Sequence, residues 1–193
     1  ADLEAAVLEG EAAAAARGKK LVVSITTNGT RFTPEDLDFL ADHRIGVSVS
    51  IDGPPDLHDA NRPYVGGKGR GSYADVVDGV ARLRERTGRP PAARVTLNPD
   101  QWARIPEVFE HVLGLGFLEV GIAPTSPVSA KLLPTTEQDE ALFAGFSRLA
   151  QRFVDEAGRG RVLPFSNLLD LLAKLHLGQV KGVPCGAGLG YAA

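Results

Sequence analysis

The sequence has 193 residues, of which 44% are hydrophobic and 23% are charged, and its formal net charge is -3. This composition is typical of a folded domain of ordinary size, or of part of a larger one, and it argues against disorder. There is no basic block of the kind that binds nucleic acid, and no apolar run approaches the roughly 20 residues of a membrane helix. We therefore expect a soluble, cytoplasmic protein without nucleic-acid or membrane partners.

Two residue types are almost or entirely missing. The sequence has no methionine, and its single cysteine is Cys185, close to its end. One cysteine excludes an internal disulfide framework and any self-contained cluster held by four thiolates. The absent methionine argues against Ala1 as a translation start, so we expect the sequence to be cut at both ends.

Short β-branched runs alternate with longer amphipathic runs over the first two thirds of the sequence. The predicted strands cover residues 21–26, 45–51, 93–97 and 117–123. The predicted helices cover residues 1–17, 72–86 and 102–113. One more helix is predicted to begin after Thr33, which is its capping residue. The first strand is apolar enough to be covered on both faces. Such alternation predicts a parallel sheet with right-handed crossovers.

Two further helices follow the fourth strand. The first is capped by Thr135 or Thr136 and runs to about Ala157, and the second covers residues 166–177. Their apolar stripes are typical of helices that pack on a core. Four strands cannot close an eight-stranded barrel, so the α/β fold is either a piece of a barrel or an open doubly wound sheet.

Polar residues cluster where the predicted strands end, which is where parallel α/β folds bind ligands. The first strand ends in TTNGT, residues 26–30. In the second, Ser48, Ser50 and Asp52 alternate with apolar residues, so their side chains point the same way. Burying such groups without partners costs roughly 2 kcal/mol or more. Either internal partners or a bound polar ligand must satisfy them, and we favour the ligand; we expect Asp52 to order the following turn.

The segment that follows contains three features with an ordinary structural explanation. His58 has the pattern of a satisfied structural histidine, and Arg62 is either a surface arginine or a clamp for a carboxylate. The glycine-rich loop at residues 66–71 lacks the Gly-Lys-Ser/Thr ending of a phosphate-binding loop. We interpret this loop as a flexible connector.

Four strings, in order along the chain, together resemble one known family. They are TTNGT, PEDLDFL, VSVSIDGPPDLHDANR and GSYADVVDGVARLR. They resemble radical S-adenosylmethionine (radical SAM) enzymes of the SPASM group, which include anaerobic sulfatase maturases and maturases of ribosomally made peptides. The stretch from Ser50 to Arg62 is the most specific piece. The PCGAGLG tail and the LLPTTEQ segment look closest to peptide maturases, including the type that acts on quinohemoprotein amine dehydrogenase.

The resemblance implies a fold and a domain organisation. The family fold is a partial (β/α)6 TIM-like barrel, and the four predicted strands look like its strands three to six. Residues 1–130 would then form part of the barrel core, residues 131–180 a helical segment, and residues 181–193 the start of the SPASM region. In that region Cys185 would ligate an auxiliary iron–sulfur cluster.

The resemblance also implies cofactors and partners. In this family a 4Fe–4S cluster binds S-adenosylmethionine and cleaves it reductively, and the adenosyl radical abstracts a hydrogen from the substrate. The substrate would be a peptide or protein, and an electron donor such as flavodoxin or ferredoxin would supply the electron.

By the same resemblance, one set of side chains would surround the cofactor. Ser50 and Arg62 would hold its carboxylate or ribose, and Thr27, Asn28 and Ser48 would line the same edge.

The last strand would contribute backbone rather than side chains. The segment that contains Ile122 and Ala123 would face the adenine.

The chain departs from the family in ways that affect catalysis. It lacks the C-x3-C-x2-C triplet of the radical cluster and the glycine-rich acidic motif that grips the cofactor amine. We therefore expect this chain to be inactive alone.

Two other hypotheses are a non-catalytic peptide-binding barrel and an unrelated α/β barrel enzyme acting on a phosphorylated small molecule. The latter requires a phosphate site and a catalytic lysine or acid pair, and the sequence shows neither.

Overall fold

A computed structural model gives the structure of residues 2–66, 69–125 and 133–178. Its strands are β1 (Ser24–Thr27), β2 (Gly46–Ser50), β3 (Ala92–Leu97) and β4 (Val120–Pro124). They form one parallel sheet in the order β1-β2-β3-β4. The α-helices are α1 (Asp2–Ala15), α2 (Pro34–Asp42), α3 (Pro55–Asn61), α4 (Tyr73–Thr87), α5 (Ile105–Gly114), α6 (Thr136–Gly158) and α7 (Ser166–Leu177). The predicted parallel α/β fold is confirmed.

One face of the sheet is packed against helices. Alternate strand residues such as Val49, Val95 and Val120 are fully buried there, together with Val80 of α4 and Phe109 of α5. Burying an aliphatic or aromatic side chain of this size stabilises a fold by about 1.5–3 kcal/mol. This layer is the main core of the described chain.

The other face of the sheet is open. Ser24, Thr26 and Arg94 are exposed on it, so the expectation that the first strand is covered on both faces is wrong for the described chain. That strand also begins at Ser24 rather than at residue 21, because pairing with β2 starts at Ser24 opposite Gly46. Apolar Leu21 and Val22 consequently stay outside the sheet and are exposed.

Two predicted helix starts are confirmed by capping boxes. Thr33 Oγ1 accepts a hydrogen bond from the Asp36 N–H at 3.1 Å, while Asp36 accepts one from the Thr33 N–H at 2.8 Å. Thr135 and Gln138 make the same reciprocal pair at the start of α6. Thr135, not Thr136, is therefore the capping residue of that helix.

Two short helices were not predicted. Helix α3 begins at Pro55, directly after Pro54, and only Leu57 and His58 of its residues are buried, which is too few for a periodic pattern. A 3-10 helix, Pro99–Arg104, precedes α5, where the sequence predicted one continuous helix from Trp102. Within it, the Trp102 indole N–H donates to the Leu97 carbonyl at 3.0 Å, which ties this turn to the end of β3.

The predicted tail and its cysteine lie outside the described residues. Residues 179–193, and therefore Cys185, are among them. The division at residues 130 and 180 and the correspondence with barrel strands three to six stay predictions. No described helix combines the length and the apolar character needed to cross a membrane.

Candidate functional site

The strand register places one set of predicted site residues together on the open sheet face. Thr26 pairs with Ser48, Ser50 pairs with Arg94, and Thr96 pairs with Ala123. Because paired residues of neighbouring strands point to the same side, Ser48, Ser50 and Ala123 share this face. None of the three is buried. We call the set Thr26, Ser48, Ser50, Thr96 and Ala123 the hydroxyl face.

Thr96 belongs to this face but was not among the predicted site residues. The signal was present in the sequence, since Arg94 and Thr96 alternate with Val95 and Leu97 as Ser48 and Ser50 do with their neighbours. Its hydroxyl lies one register step beyond Ser50 towards the carboxyl ends of the strands. A two-residue period therefore adds Thr26 and Thr96 to the predicted Ser48 and Ser50, with Ser24 on the same side at the start of β1.

Thr27 and Ile122 lie with their side chains on the helix-covered face. Thr27 pairs with buried Val49, and its Oγ1 accepts a hydrogen bond from the Gly29 N–H at 3.2 Å. Ile122 is buried, its N–H donates to Asn167 Oδ1 at 2.9 Å, and its carbonyl accepts from Asn167 Nδ2 at 2.8 Å. The backbone of Ile122 thus already has partners on the outer edge of β4.

Asn28 lies in a tight turn after β1. Its Oδ1 accepts from the Thr30 N–H at 3.2 Å and from the Thr30 hydroxyl at 3.1 Å. Gly29 has a left-handed φ of 71°. A Cβ added to Gly79 of α4 would collide with the carbonyl oxygen of Gly29. Because both glycines are needed for this approach, α4 fixes the turn, and with it Asn28, at the carboxyl end of β1.

Asp52 connects the ends of β2 and β3 with Arg62. Arg62 donates through Nε to Asp52 Oδ2 at 2.7 Å and through Nη2 to Oδ1 at 3.1 Å. Oδ1 also accepts from the Thr96 N–H at 2.9 Å. The Asp52 side chain is 2% exposed and that of Arg62 is 30% exposed. The Asp52 carboxylate therefore binds β3 and the arginine that was expected to hold a ligand, and its expected role in ordering the following turn stays a prediction.

Arg62 nevertheless keeps donors for a ligand. Both hydrogen bonds to Asp52 use the Nε and Nη2 side of the guanidinium, and Nη1 makes no hydrogen bond to any described residue. A guanidinium has five N–H donors, so one edge can bind an internal carboxylate while the remaining group faces solvent or an anion. Arg62 is therefore both a structural residue and a candidate ligand contact.

His58 is fully buried and both of its ring nitrogens have partners. Nδ1 accepts from the Asp52 N–H at 3.2 Å, and Nε2 lies 3.0 Å from Ser72 Oγ. Since the Ser72 hydroxyl donates to the Arg62 carbonyl, the imidazole must be neutral with its proton on Nε2. Burial lowers the pKa of His58 below its usual value. The expectation of a structural histidine is confirmed.

Asp59 fixes the start of α4. It accepts a hydrogen bond from the Tyr73 N–H at 2.8 Å, in the first turn of that helix, where a carboxylate is stabilised by the helix dipole. A Cβ at Gly71 would collide with this carboxylate. Most of the sequence from Asp52 to Arg62 thus shapes the strand end, and Ser50 and the free donors of Arg62 remain for a ligand.

The ends of the glycine-rich loop are held in place. Pro63 and Gly71 form an antiparallel bridge, and the Tyr64 N–H donates to the Arg70 carbonyl at 3.0 Å. The Tyr64 hydroxyl and the Arg70 guanidinium both donate to Asp75, at 2.6 and 2.7 Å. The hydrogen bond to Asp75 raises the pKa of Tyr64.

The residues of the site fit one kind of cofactor better than another. Hydroxyl groups beside a partly exposed guanidinium suit a ligand that carries hydroxyls and a carboxylate, as S-adenosylmethionine does. An iron–sulfur cluster needs thiolates. Within residues 2–66, 69–125 and 133–178, no group of three or more His, Cys, Asp or Glu side chains could hold a metal.

Comparison with known proteins gives three kinds of similarity. Residues 2–111 match the family description "Radical SAM superfamily". A serine-type anaerobic sulfatase-maturating enzyme of Bacteroides thetaiotaomicron is 39% identical over 70 residues, which cover 36% of this chain and 16% of that enzyme. Solved structures with the same fold give the third similarity.

Two of these structures are native anSMEcpe with bound AdoMet, and the same protein with bound AdoMet and Cp18Cys peptide. Their TM-scores are 0.70 and 0.71 and their identities 16% and 17%; they cover 86% and 89% of this chain, and 46% and 47% of their own. The chain therefore spans less than half the length of these relatives, and at such identity the likeness shows the fold alone. Because the family match covers more than half of the chain, the chain belongs to the radical SAM superfamily.

Proposed function

We propose that this chain forms part of the S-adenosylmethionine-binding barrel of a radical SAM enzyme that modifies a peptide or protein. The observation that carries the proposal is the hydroxyl face, whose residues Ser50 and Thr96 lie towards the carboxyl ends of the strands, where Asp52 joins Thr96 to Arg62. This is the edge at which parallel α/β folds bind ligands. The names of the related maturase and of the AdoMet- and peptide-bound structures support the same activity class.

In the proposed arrangement, β1 to β4 are strands three to six of a partial (β/α)6 barrel. The hydroxyl face then lines the inside of the barrel, and this explains why a face without a helix layer carries hydroxyl groups rather than large apolar ones. Residues 181–193 begin the SPASM region, with Cys185 as a ligand of an auxiliary cluster.

The bound cofactor, together with a 4Fe–4S cluster and an electron from a donor such as flavodoxin or ferredoxin, supplies a 5′-deoxyadenosyl radical. The residues of this chain bind and orient. Ser50 Oγ and Arg62 Nη1 hold the carboxylate or ribose, and Asn28 closes the same edge above β1. Asp52 keeps Arg62 in place, and His58 supports the backbone of Asp52.

We also propose that this chain alone does not cleave the cofactor. Its one cysteine cannot replace the three thiolates of a radical cluster. Incubation with iron, sulfide, a strong reductant and S-adenosylmethionine should give no 5′-deoxyadenosine by chromatography. Release of 5′-deoxyadenosine above the protein-free background would contradict this part of the proposal.

Cofactor binding can be measured without turnover. Isothermal titration calorimetry with S-adenosylmethionine should show binding to the chain, and Ser50→Ala should weaken it about two- to tenfold because one hydrogen bond is lost. Ser24→Ala is the matched control, since Ser24 lies at the other end of a strand. If the folded chain gives no binding heat, or if Ser24→Ala is as damaging as Ser50→Ala, this site is not the one used.

A further inference from the structure

The loops that enter the strands carry a group of positive charges. Lys19 and Lys20 precede β1, Arg44 precedes β2, and Arg84 and Arg89 lie at the end of α4 and in the loop before β3. We call these five residues the basic rim. The rim lies at the amino ends of the strands, whereas Ser50 and Thr96 of the hydroxyl face lie towards their carboxyl ends.

The charges of the basic rim have no anionic partners in the described chain. None of the five side chains forms a salt bridge with a described residue. Arg84 and Arg89 donate only to backbone carbonyls, those of Leu115 and Arg44, at 3.2 and 3.4 Å. Several other exposed arginines are paired with carboxylates, as Arg86 is with Asp38, whereas Arg17, Arg31 and Arg148 form no salt bridge with a described residue and lie outside this group. Clustered unpaired cations raise the local potential and attract anionic groups.

Arg89 lines two cavities at the basic rim. One of about 510 Å³ is lined by Lys19, Lys20, Arg44 and Arg89, and one of about 540 Å³ also contains Arg89. Apolar residues form part of both walls. Val22 in the first is 84% exposed, and Leu118 in the second is 61% exposed. The surface therefore combines cations with uncovered apolar side chains.

Arg44 has an unfavourable backbone conformation for its residue type. It is the one non-glycine residue of the described chain with a left-handed φ, 53°. It follows the end of α2, where the Ile45 N–H donates to the Leu40 carbonyl at 3.0 Å and closes the helix. Glycine is the residue best suited to this position. An arginine here costs stability, which is expected where its side chain has a use.

We propose that the basic rim binds an acidic polypeptide segment that also carries apolar side chains. Carboxylates on the segment match the unpaired cations, and its apolar side chains match the walls formed by Val22 and Leu118. A nucleic acid fits less well, because a phosphate backbone would leave the exposed apolar side chains of Val22 and Leu118 without partners. Resting on the proposed function, we assign the segment to the peptide or protein substrate, away from the residue that is modified.

The test is direct binding of a short fluorescein-labelled peptide of glutamate, leucine and serine, followed by fluorescence anisotropy. The same peptide with glutamine in place of glutamate is the control ligand. We expect Lys19→Gln, Lys20→Gln and Arg89→Gln each to weaken binding of the acidic peptide by about two- to fivefold. Arg104→Gln is the matched control, because Arg104 is paired with Asp56 and Glu107 at the other end of the sheet.

Arg44→Gly separates binding from folding. It relieves the left-handed backbone and should raise the urea midpoint of unfolding, yet it should weaken peptide binding. Higher salt should weaken binding of the acidic peptide, since exposed charges are screened beyond about 10 Å at 0.1 M ionic strength.

Four results would overturn the proposal. The first two are equal binding of the glutamine and glutamate peptides, and unchanged peptide affinity in the rim variants. The third is tighter binding of a short DNA duplex than of the acidic peptide, with this DNA binding lost in the rim variants. The fourth is self-association of the chain that is abolished in the rim variants. Calorimetry with S-adenosylmethionine distinguishes this proposal from the proposed function, because Lys19→Gln and Lys20→Gln, which lie away from the hydroxyl face, should bind the cofactor normally.

Discussion

Asp52 is held by Arg62 through two hydrogen bonds, from Nε to Oδ2 at 2.7 Å and from Nη2 to Oδ1 at 3.1 Å. The carboxylate is buried and the guanidinium is partly exposed. Asp52 Oδ1 also accepts a hydrogen bond from the Thr96 N–H. The Asp52 side chain therefore joins the ends of two strands to the end of α3. The geometry of the ligand-binding edge therefore depends on this pair.

Breaking the pair should destabilise the fold strongly. Arg62→Gln leaves the Asp52 charge buried without its partner, and we expect the free energy of unfolding to fall by about 3 kcal/mol in urea titrations. The double variant Asp52→Asn/Arg62→Gln should lose less than the sum of the single variants, because the two residues are coupled.

An exposed pair on α6 serves as the control for this experiment. Arg159→Gln breaks the bond to Glu156 and should cost at most about 1 kcal/mol, since Arg159 is largely exposed. Additive effects of Asp52→Asn and Arg62→Gln would show that the pair is not coupled as the distances imply.

His58 should make stability depend on pH. Burial lowers its pKa in the folded state below the value of about 6.5 expected when unfolded. The unfolded chain therefore binds more protons in that interval, and the free energy of unfolding should fall as the pH drops through 6.5 towards the lowered pKa. Above about pH 7 this group contributes no slope. His58→Gln should be less stable at pH 7 and should lose this part of the pH dependence.

The exposed His176 provides the comparison. His176→Gln should keep both the stability at pH 7 and the decline below it. Denaturant titrations at several pH values between 5 and 8 measure the slope. A slope that is unchanged in His58→Gln would mean that another group causes the decline.

Gly79 allows α4 to touch the turn after β1. A Cβ there would collide with the carbonyl oxygen of Gly29, so Gly79→Ala should lower the free energy of unfolding by about 1–3 kcal/mol. Alanine normally stabilises a helix relative to glycine by about 1 kcal/mol. Gly114→Ala at the end of α5 meets nothing within 4 Å and should be neutral or stabilising. Opposite signs for these two substitutions are the expected result, and a stabilising Gly79→Ala would contradict the close approach.

Sequence patterns were sufficient to predict the four parallel strands and, apart from their ends, the six longer helices α1, α2, α4, α5, α6 and α7. It failed where tertiary contacts decide. The first strand begins at Ser24 because its partner strand begins opposite, and apolar Leu21 and Val22 could not reveal this. Helix α3 has only two buried residues, so its amphipathic period is too short to recognise.

The candidate site was predictable in part for the same reason. Alternation placed Ser48 and Ser50 on one face, and the register confirms that they share it. It could not show that Arg62 turns back onto Asp52, ten residues earlier. Nor could it show that Asn167 binds the backbone of Ile122 from 45 residues away. Contacts between distant segments leave no local pattern.

Thr96 provides a direct test of the hydroxyl face as a binding surface. Its side chain lies beyond Ser50 towards the carboxyl ends, while its N–H is engaged by Asp52. Thr96→Val removes the hydroxyl, keeps the shape and leaves that backbone hydrogen bond intact. We expect S-adenosylmethionine to bind about two- to tenfold more weakly in calorimetry, as one hydrogen bond is lost. The urea midpoint should change little, because the hydroxyl makes no hydrogen bond within the described chain. Unchanged affinity in a folded Thr96→Val variant would place the ligand away from β3 and restrict the site to the ends of β1 and β2.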